Sequence, residues 1–188
     1  MILPIAKFGH PALRQKGQPV EKITAAIRKL IADMFDTMYK AAGVGLAAQQ
    51  VGEALQLTVL DVSAVKDRPS TLELGGKPAD VATIMPLVLI NPRIEPSGEL
   101  AAGAEGCLSF PEMYADITRP EFVKVKALNA KGEAIEFKAG GLLSRAIQHE
   151  VDHLNGILFI DRMKSEDKAA LKPDLDELQR ATKAALKK

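Results

Sequence analysis

Proline and glycine set the strongest limit on what this chain can fold into. There are 11 prolines and 14 glycines among 188 residues. Proline removes a backbone donor and glycine loosens the chain, so few stretches remain for a long helix. Pro4, Gly9, Pro11, Gly17 and Pro19 punctuate the start and leave it extended. Beyond them Ile23, Ile27, Leu30, Ile31, Met34, Phe35 and Met38 recur at spacings of three and four, which predicts a helix over 22–41 that stops near Gly43. A second helix is expected over 142–154, with Leu142, Leu143, Ala146, Ile147, Val151 and Leu154 as its apolar positions. Gly156 falls just past it, where a left-handed cap belongs. Ser165, Glu166 and Asp167 form a helix start. Pro173, at a first-turn position, opens a final helix bearing Leu175, Leu178 and Leu186, so that a C-terminal helix occupies 165–188.

The segments between these helices are strand-like. Strands are expected over 55–62, over 87–91 with a stop at Pro92, over 93–100 and over 122–128. A turn at Asn129-Ala130-Lys131-Gly132 then leads to a return strand over 134–138. Residues 63–86 turn polar and hold too few apolar side chains for a core of their own, so they read as a surface loop or hairpin insertion. The expectation is an α+β chain forming a single domain over 1–188. Short antiparallel strands pack around the helix over 142–154, with one helix before them and one after. At 47% apolar and 26% charged residues the composition is globular. A net charge of +1 gives no general attraction to nucleic acid or anionic membrane. No apolar run approaches the roughly 18 residues of a spanning helix, and the N-terminus lacks the pattern of a signal peptide. The chain therefore reads as soluble and cytoplasmic, and its single cysteine excludes an internal disulfide.

Chemistry concentrates in His149-Glu150-Val151-Asp152-His153, an H-E-x-x-H pattern. Positions i and i+4 share a helix face, so His149 and His153 can bind one metal ion, with Glu150 placed as general base to an activated water. Histidines and a carboxylate on so apolar a helix are costly to bury without a partner, and a metal supplies one. Asp152 lies on a different face. A catalytic site of this type takes three protein ligands and an open position. A histidine at position 159 would extend the pattern, but Phe159 stands there. His10 lies far upstream. Glu177, on the last helix, and Cys107 remain. A lone cysteine is most often a small buried hydrophobe. Cys107, however, follows a glycine-containing turn in Glu105-Gly106-Cys107-Leu108-Ser109, and a thiolate near a metal is a strong ligand, which favours one cysteine with two histidines. A glycine-rich segment, 43–50, is neither a Walker loop nor a dinucleotide fingerprint. It allows backbone to approach a ligand closely, with Gln50 able to donate to a developing oxyanion.

These three segments, in this order, resemble the peptide deformylase family, whose marks are G-φ-G-φ-A-A-x-Q, E-G-C-φ-S and Q-H-E-x-D-H, where φ is apolar. They stand here at 43–50, 105–109 and 148–153, and the opening Gly9-His10-Pro11-Ala12-Leu13-Arg14 is also similar. The resemblance implies removal of the formyl group from the initiator methionine of newly made proteins. Cys107, His149 and His153 would hold the metal, and Glu150 would shuttle the proton. The Gln50 amide and the Leu108 N–H would form the oxyanion hole, while Val44 and Gly45 would flank the substrate backbone. It further implies one divalent ion, Fe²⁺ first, with Zn²⁺, Ni²⁺ or Co²⁺ able to substitute. The partners it implies are formyl-Met N-termini of nascent chains, and the ribosome through the C-terminal helix. Two features depart from many members: 63–86 is longer, and Tyr114 stands where arginine is common. Two other classes of function compete with this reading. An endopeptidase using Glu177 as third ligand would cleave unformylated internal bonds and dispense with Cys107. A purely structural metal site would need a fourth protein ligand, for which the sequence offers no candidate.

Overall fold

A computed structural model describes residues 1–187. The first long helix, α1, spans Ala25–Lys40. Thr24 caps it by accepting from the Ile27 N–H at 3.2 Å, which satisfies one of the free donors of the first turn. Seven strands follow or flank the remaining helices: β1 Gly45–Ala47, β2 Leu57–Leu60, β3 Ser70–Leu74, β4 Lys77–Ala79, β5 Leu87–Cys107, β6 Phe110–Leu128 and β7 Ala134–Gly140. They form one antiparallel sheet in the order β1-β2-β5-β6-β7-β3-β4. The helix α2 covers Gly141–Leu154 and α3 covers Ser165–Ala185. No helix among the described residues is long and apolar enough to cross a membrane.

The strand pattern differs from expectation at several points. Pro92 does not stop a strand, since the segments expected over 87–91 and 93–100 are both parts of β5, which runs on to Cys107. Pairing passes from Ile90↔Leu128 to Arg93↔Lys126, so β5 carries one extra residue there. This is a bulge, where a proline lacks a donor that the ladder would not have used. Asn91 takes a left-handed conformation at this point, and its side chain pairs with both the N–H and the C=O of Val20 at 2.9 Å. Cys107 likewise ends a strand rather than following a turn; the turn lies beyond it, at Leu108 and Ser109. The polar stretch 63–86 contains the β3–β4 hairpin, and β3 pairs with β7 to extend the sheet.

Both faces of the sheet centre are buried. Along β2 and β5, Leu57, Val59, Val88 and Ile90 pack with Ile31, Met34 and Met38 of α1. Leu60, Leu87 and Leu89 instead join Leu143, Ile147 and Val151 of α2. Successive strand side chains alternate faces, so two helices on opposite sides explain why these runs are apolar throughout. A helix so placed is surrounded by protein. Every residue of α2 from Leu142 to Leu154 is buried except Arg145, which is half-buried.

At the C-terminus Pro173 does not open the last helix. Ser165 begins α3, but Pro173 lies inside it. The carbonyl freed by the missing proline N–H belongs to Ala169, which is exposed, so water can satisfy it. The helix is held mainly through Leu175, packed with Leu13, Phe110 and Phe159. Lys188 lies outside the described residues.

Candidate active site and metal centre

Burial of α2 forces its polar side chains to find partners. The Sγ of Cys107 and one ring nitrogen each from His149 and His153 lie within 4.8 Å of one another. The Cys107 Sγ is 3.2 Å from His153 Nε2. Metal–sulfur and metal–nitrogen bonds of roughly 2.3 and 2.0 Å fit such a spacing. His149 turns its Nδ1 to Glu105 Oε2 at 2.9 Å, which leaves Nε2 for the cluster with Cys107. Burial alone would lower the His149 pKa, yet hydrogen bonds to Cys107 and Glu105 raise it well above the ordinary histidine value. Burial and the neighbouring His149 push His153 the other way. One thiolate with two imidazoles so closely gathered is a soft donor set that suits a divalent cation.

Two buried glutamates flank this cluster and have opposite character. Burial pushes Glu150 up to about 7, and its Oε2 has no hydrogen-bond partner among the described residues. Burial acts on Glu105 in the same sense, but hydrogen bonds from His149 and Arg119 outweigh it and bring the carboxyl down to about 2. One is poised to exchange a proton near neutrality; the other is a fixed anion.

The glycine-rich segment comes against the same helix. A Cβ on Gly45 would fall 2.3 Å from Glu150 Oε1, so β1 can pass this carboxylate only as glycine. Gln50 follows in a short turn of 3-10 helix, Ala48–Val51. Its Oε1 accepts from the Ala47 N–H at 2.9 Å, which fixes the amide with Nε2 facing Ser109 Oγ at 3.3 Å and Cys107 Sγ at 3.6 Å. The extended N-terminal segment ties these loops together: Ala6 N–H donates to Gln50 O and Phe8 N–H to Ser109 O. Lys7, between them, donates from Nζ to Leu108 O at 2.7 Å.

A cleft of about 570 Å³ opens on this centre, and Val44, Gly45, Gln50, Leu108, His149 and Glu150 all line it. Tyr114 stands at its wall, 70% exposed, against Gly106, where a Cβ would come within 2.7 Å of the ring. The sequence candidates outside the cluster are elsewhere. His10 caps the short helical turn Pro11–Arg14 by accepting from Ala12 N–H, and Glu177 is exposed on α3. Sequence reasoning missed Lys7, Arg68 and Arg145 in the cleft, and Arg119 behind it.

The sequence model of the polypeptide deformylase family matches residues 2–169. The chain belongs to the peptide deformylase family. A peptide deformylase of Methylacidiphilum infernorum is 48% identical over 180 residues, covering 96% of this chain and 94% of that protein. The crystal structure of a deformylase from Synechococcus elongatus in complex with actinonin superposes with a TM-score of 0.77 at 41% identity, over 92% of this chain and 87% of the other. A deformylase from Legionella pneumophila gives 0.79 at 37% identity, over 96% and 97%. Deformylases are metal-dependent hydrolases that remove the N-formyl group from the initiator methionine during protein biosynthesis, and this is the activity of the chain.

Proposed function

We propose that Cys107, His149 and His153 hold one divalent metal ion, that Glu150 moves the proton, and that Gln50 Nε2 and the Leu108 N–H stabilise the oxyanion. The observation that carries this reading is a three-donor cluster on one cleft, beside a buried carboxylate oxygen with no partner of its own. Once bound, the ion would supply Lewis acidity, which would lower the proton affinity of a water molecule and polarise the formyl oxygen. Glu150 takes a proton from that water as its oxygen adds to the formyl carbon. Gln50 and Leu108 donate to the oxygen that gains charge, and losing one such donor typically costs ~3 kcal/mol of barrier. Glu150 then gives its proton to the methionine nitrogen as the C–N bond breaks, leaving formate and a free amine. Val44 and Gly45 lie alongside the substrate backbone. The whole chain acts as one catalytic domain in the cytoplasm on nascent formyl-Met N-termini, and the exposed side of α3 is the surface proposed to meet the ribosome.

A formyl carbon carries only hydrogen, so a close glycine-lined site admits it and excludes a larger acyl group. Formyl-Met-Ala-Ser should release formate, and its acetylated analogue should be cut far more slowly, as followed by amine release. Equal rates, or cleavage of an internal bond, would overturn the reading. The donor set binds Zn²⁺ more tightly than Fe²⁺ on affinity alone, so metal content after purification does not identify the working ion. Protein loaded with Fe²⁺ under anaerobic conditions should show a much higher kcat/KM than the Zn²⁺ form and should lose activity in air as the iron, then Cys107, oxidises. Equal activity of the two forms, with metal measured on the same samples, would refute the iron preference.

A further inference from the structure

Behind the proposed ligands, a row of charged groups runs from the surface to His149. Glu105 Oε1 accepts from Arg119 Nε at 2.6 Å and from Arg145 Nη1 at 3.0 Å. Its Oε2 accepts from Arg119 Nη2 at 2.9 Å and faces His149 Nδ1 at 2.9 Å. An ionised carboxylate offers about four lone-pair positions, and guanidinium N–H groups take three. The fourth neighbour must also donate, so His149 carries a proton on Nδ1 and, as a neutral ring, its lone pair on Nε2. Arg119 spends its last nitrogen on Asp152, from Nη1 to Oδ2 at 2.9 Å. Asp152 is gripped in turn by Arg162, from Nε at 2.5 Å and Nη2 at 2.6 Å. The Arg162 side chain is 42% exposed and that of Arg119 only 3%. His153 has no counterpart to this support, because its Nδ1 is buried without a partner among the described residues.

We propose that Arg119 and Asp152 are positioning residues which act through Glu105 to lock the ring and tautomer of His149. This rests on the ligand set proposed above. Hydrogen-bond partners of metal-bound histidines fix ring orientation and raise basicity, and their loss typically costs about 10–100-fold in metal affinity. Asp152, the acidic residue inside the H-E-x-D-H segment, thereby acquires a role that its helix face alone does not suggest.

The test uses the Zn²⁺-loaded full chain labelled with ¹⁵N-histidine, which has only three rings to assign. In the wild type, His149 should show a downfield Nδ1–H signal that exchanges slowly with solvent. In Arg119→Lys and in Asp152→Asn, the His149 signal should exchange faster, and Zn²⁺ affinity read by competition with a chelator should fall about 10–100-fold. A His149 that carries no proton on Nδ1 in the wild type, or whose Nδ1–H exchanges as fast as that of an exposed imidazole, would overturn the proposal whether or not either variant folds. So would folded variants that keep wild-type exchange and metal affinity. Rings of His149 and His153 that do not respond when Zn²⁺ is added would instead overturn the ligand set itself.

Discussion

Glu150→Ala should keep its metal and lose nearly all turnover. The carboxylate is not one of the three clustered donors, and it is wedged between β1 at Gly45 and the cleft. Its buried Oε2 has no hydrogen-bond partner among the described residues, and Glu150 lines the cleft, where a water can reach it. Positioned general acid–base groups contribute about 10²–10⁴-fold. Here one group serves both proton transfers, so the loss in kcat should reach the top of that range. Removing a buried carboxyl that lacks a full set of partners should leave the fold intact. The raised pKa also fixes the sign of the pH dependence. Glu150 is the working base only when ionised, so kcat/KM should fall on the acid side of its pKa, near 7 for the ion-free site. A nearby cation favours the carboxylate and moves that limb lower. Turnover and metal content measured on the same samples decide the matter, and a variant that loses its metal where wild type retains it would show that Glu150 ligates instead.

Cys107→Ser should weaken metal binding and abolish activity together. Serine is nearly the same size but offers a neutral hydroxyl in place of a soft thiolate. The drop in affinity should exceed the ~10–100-fold that follows loss of a histidine's hydrogen-bond partner, since a ligand itself is removed. Competition against a chromophoric chelator, for Zn²⁺ and for Fe²⁺, gives the affinity, and formate release gives the activity. A fully active serine enzyme would refute the ligand set, and it would revive Glu177 as a third ligand despite its exposed place on α3.

Much of this site was legible because its residues sit close in sequence or in strong local patterns. His149 and His153 share a face of a helix whose apolar period is plain, and Gly45 and Gln50 belong to one short segment. The strands were harder to read. Pro92 reads as a strand end, and only the long-range pairing of β5 with β6 turns it into a bulge. Pro173 reads as a helix start for the same local reason, and solvent at Ala169 is what lets α3 continue through it. Arg119 is a different case, because its signal was present and passed over. Ile117, Arg119, Val123 and Val125 are all buried along β6, while Thr118, Lys124 and Lys126 are exposed. An arginine in the inward phase of an alternating strand announces a buried anion. Which anion it meets depends on β5 and α2 coming together, and no local pattern reports that.

The placement of Cys107 at the end of β5 and of both histidines on α2 has a thermodynamic consequence. These donors meet only when the sheet and the helix have docked, so the unfolded chain offers no comparable site. An ion that binds the native state alone shifts the folding equilibrium by mass action, about 2.7 kcal/mol at a free concentration one hundred times its Kd. The melting temperature is therefore not a constant of the polypeptide: it rises with the logarithm of free metal, and chelation lowers it. Scarcity of the ion reduces both the active fraction and the folded reserve from which that fraction is drawn.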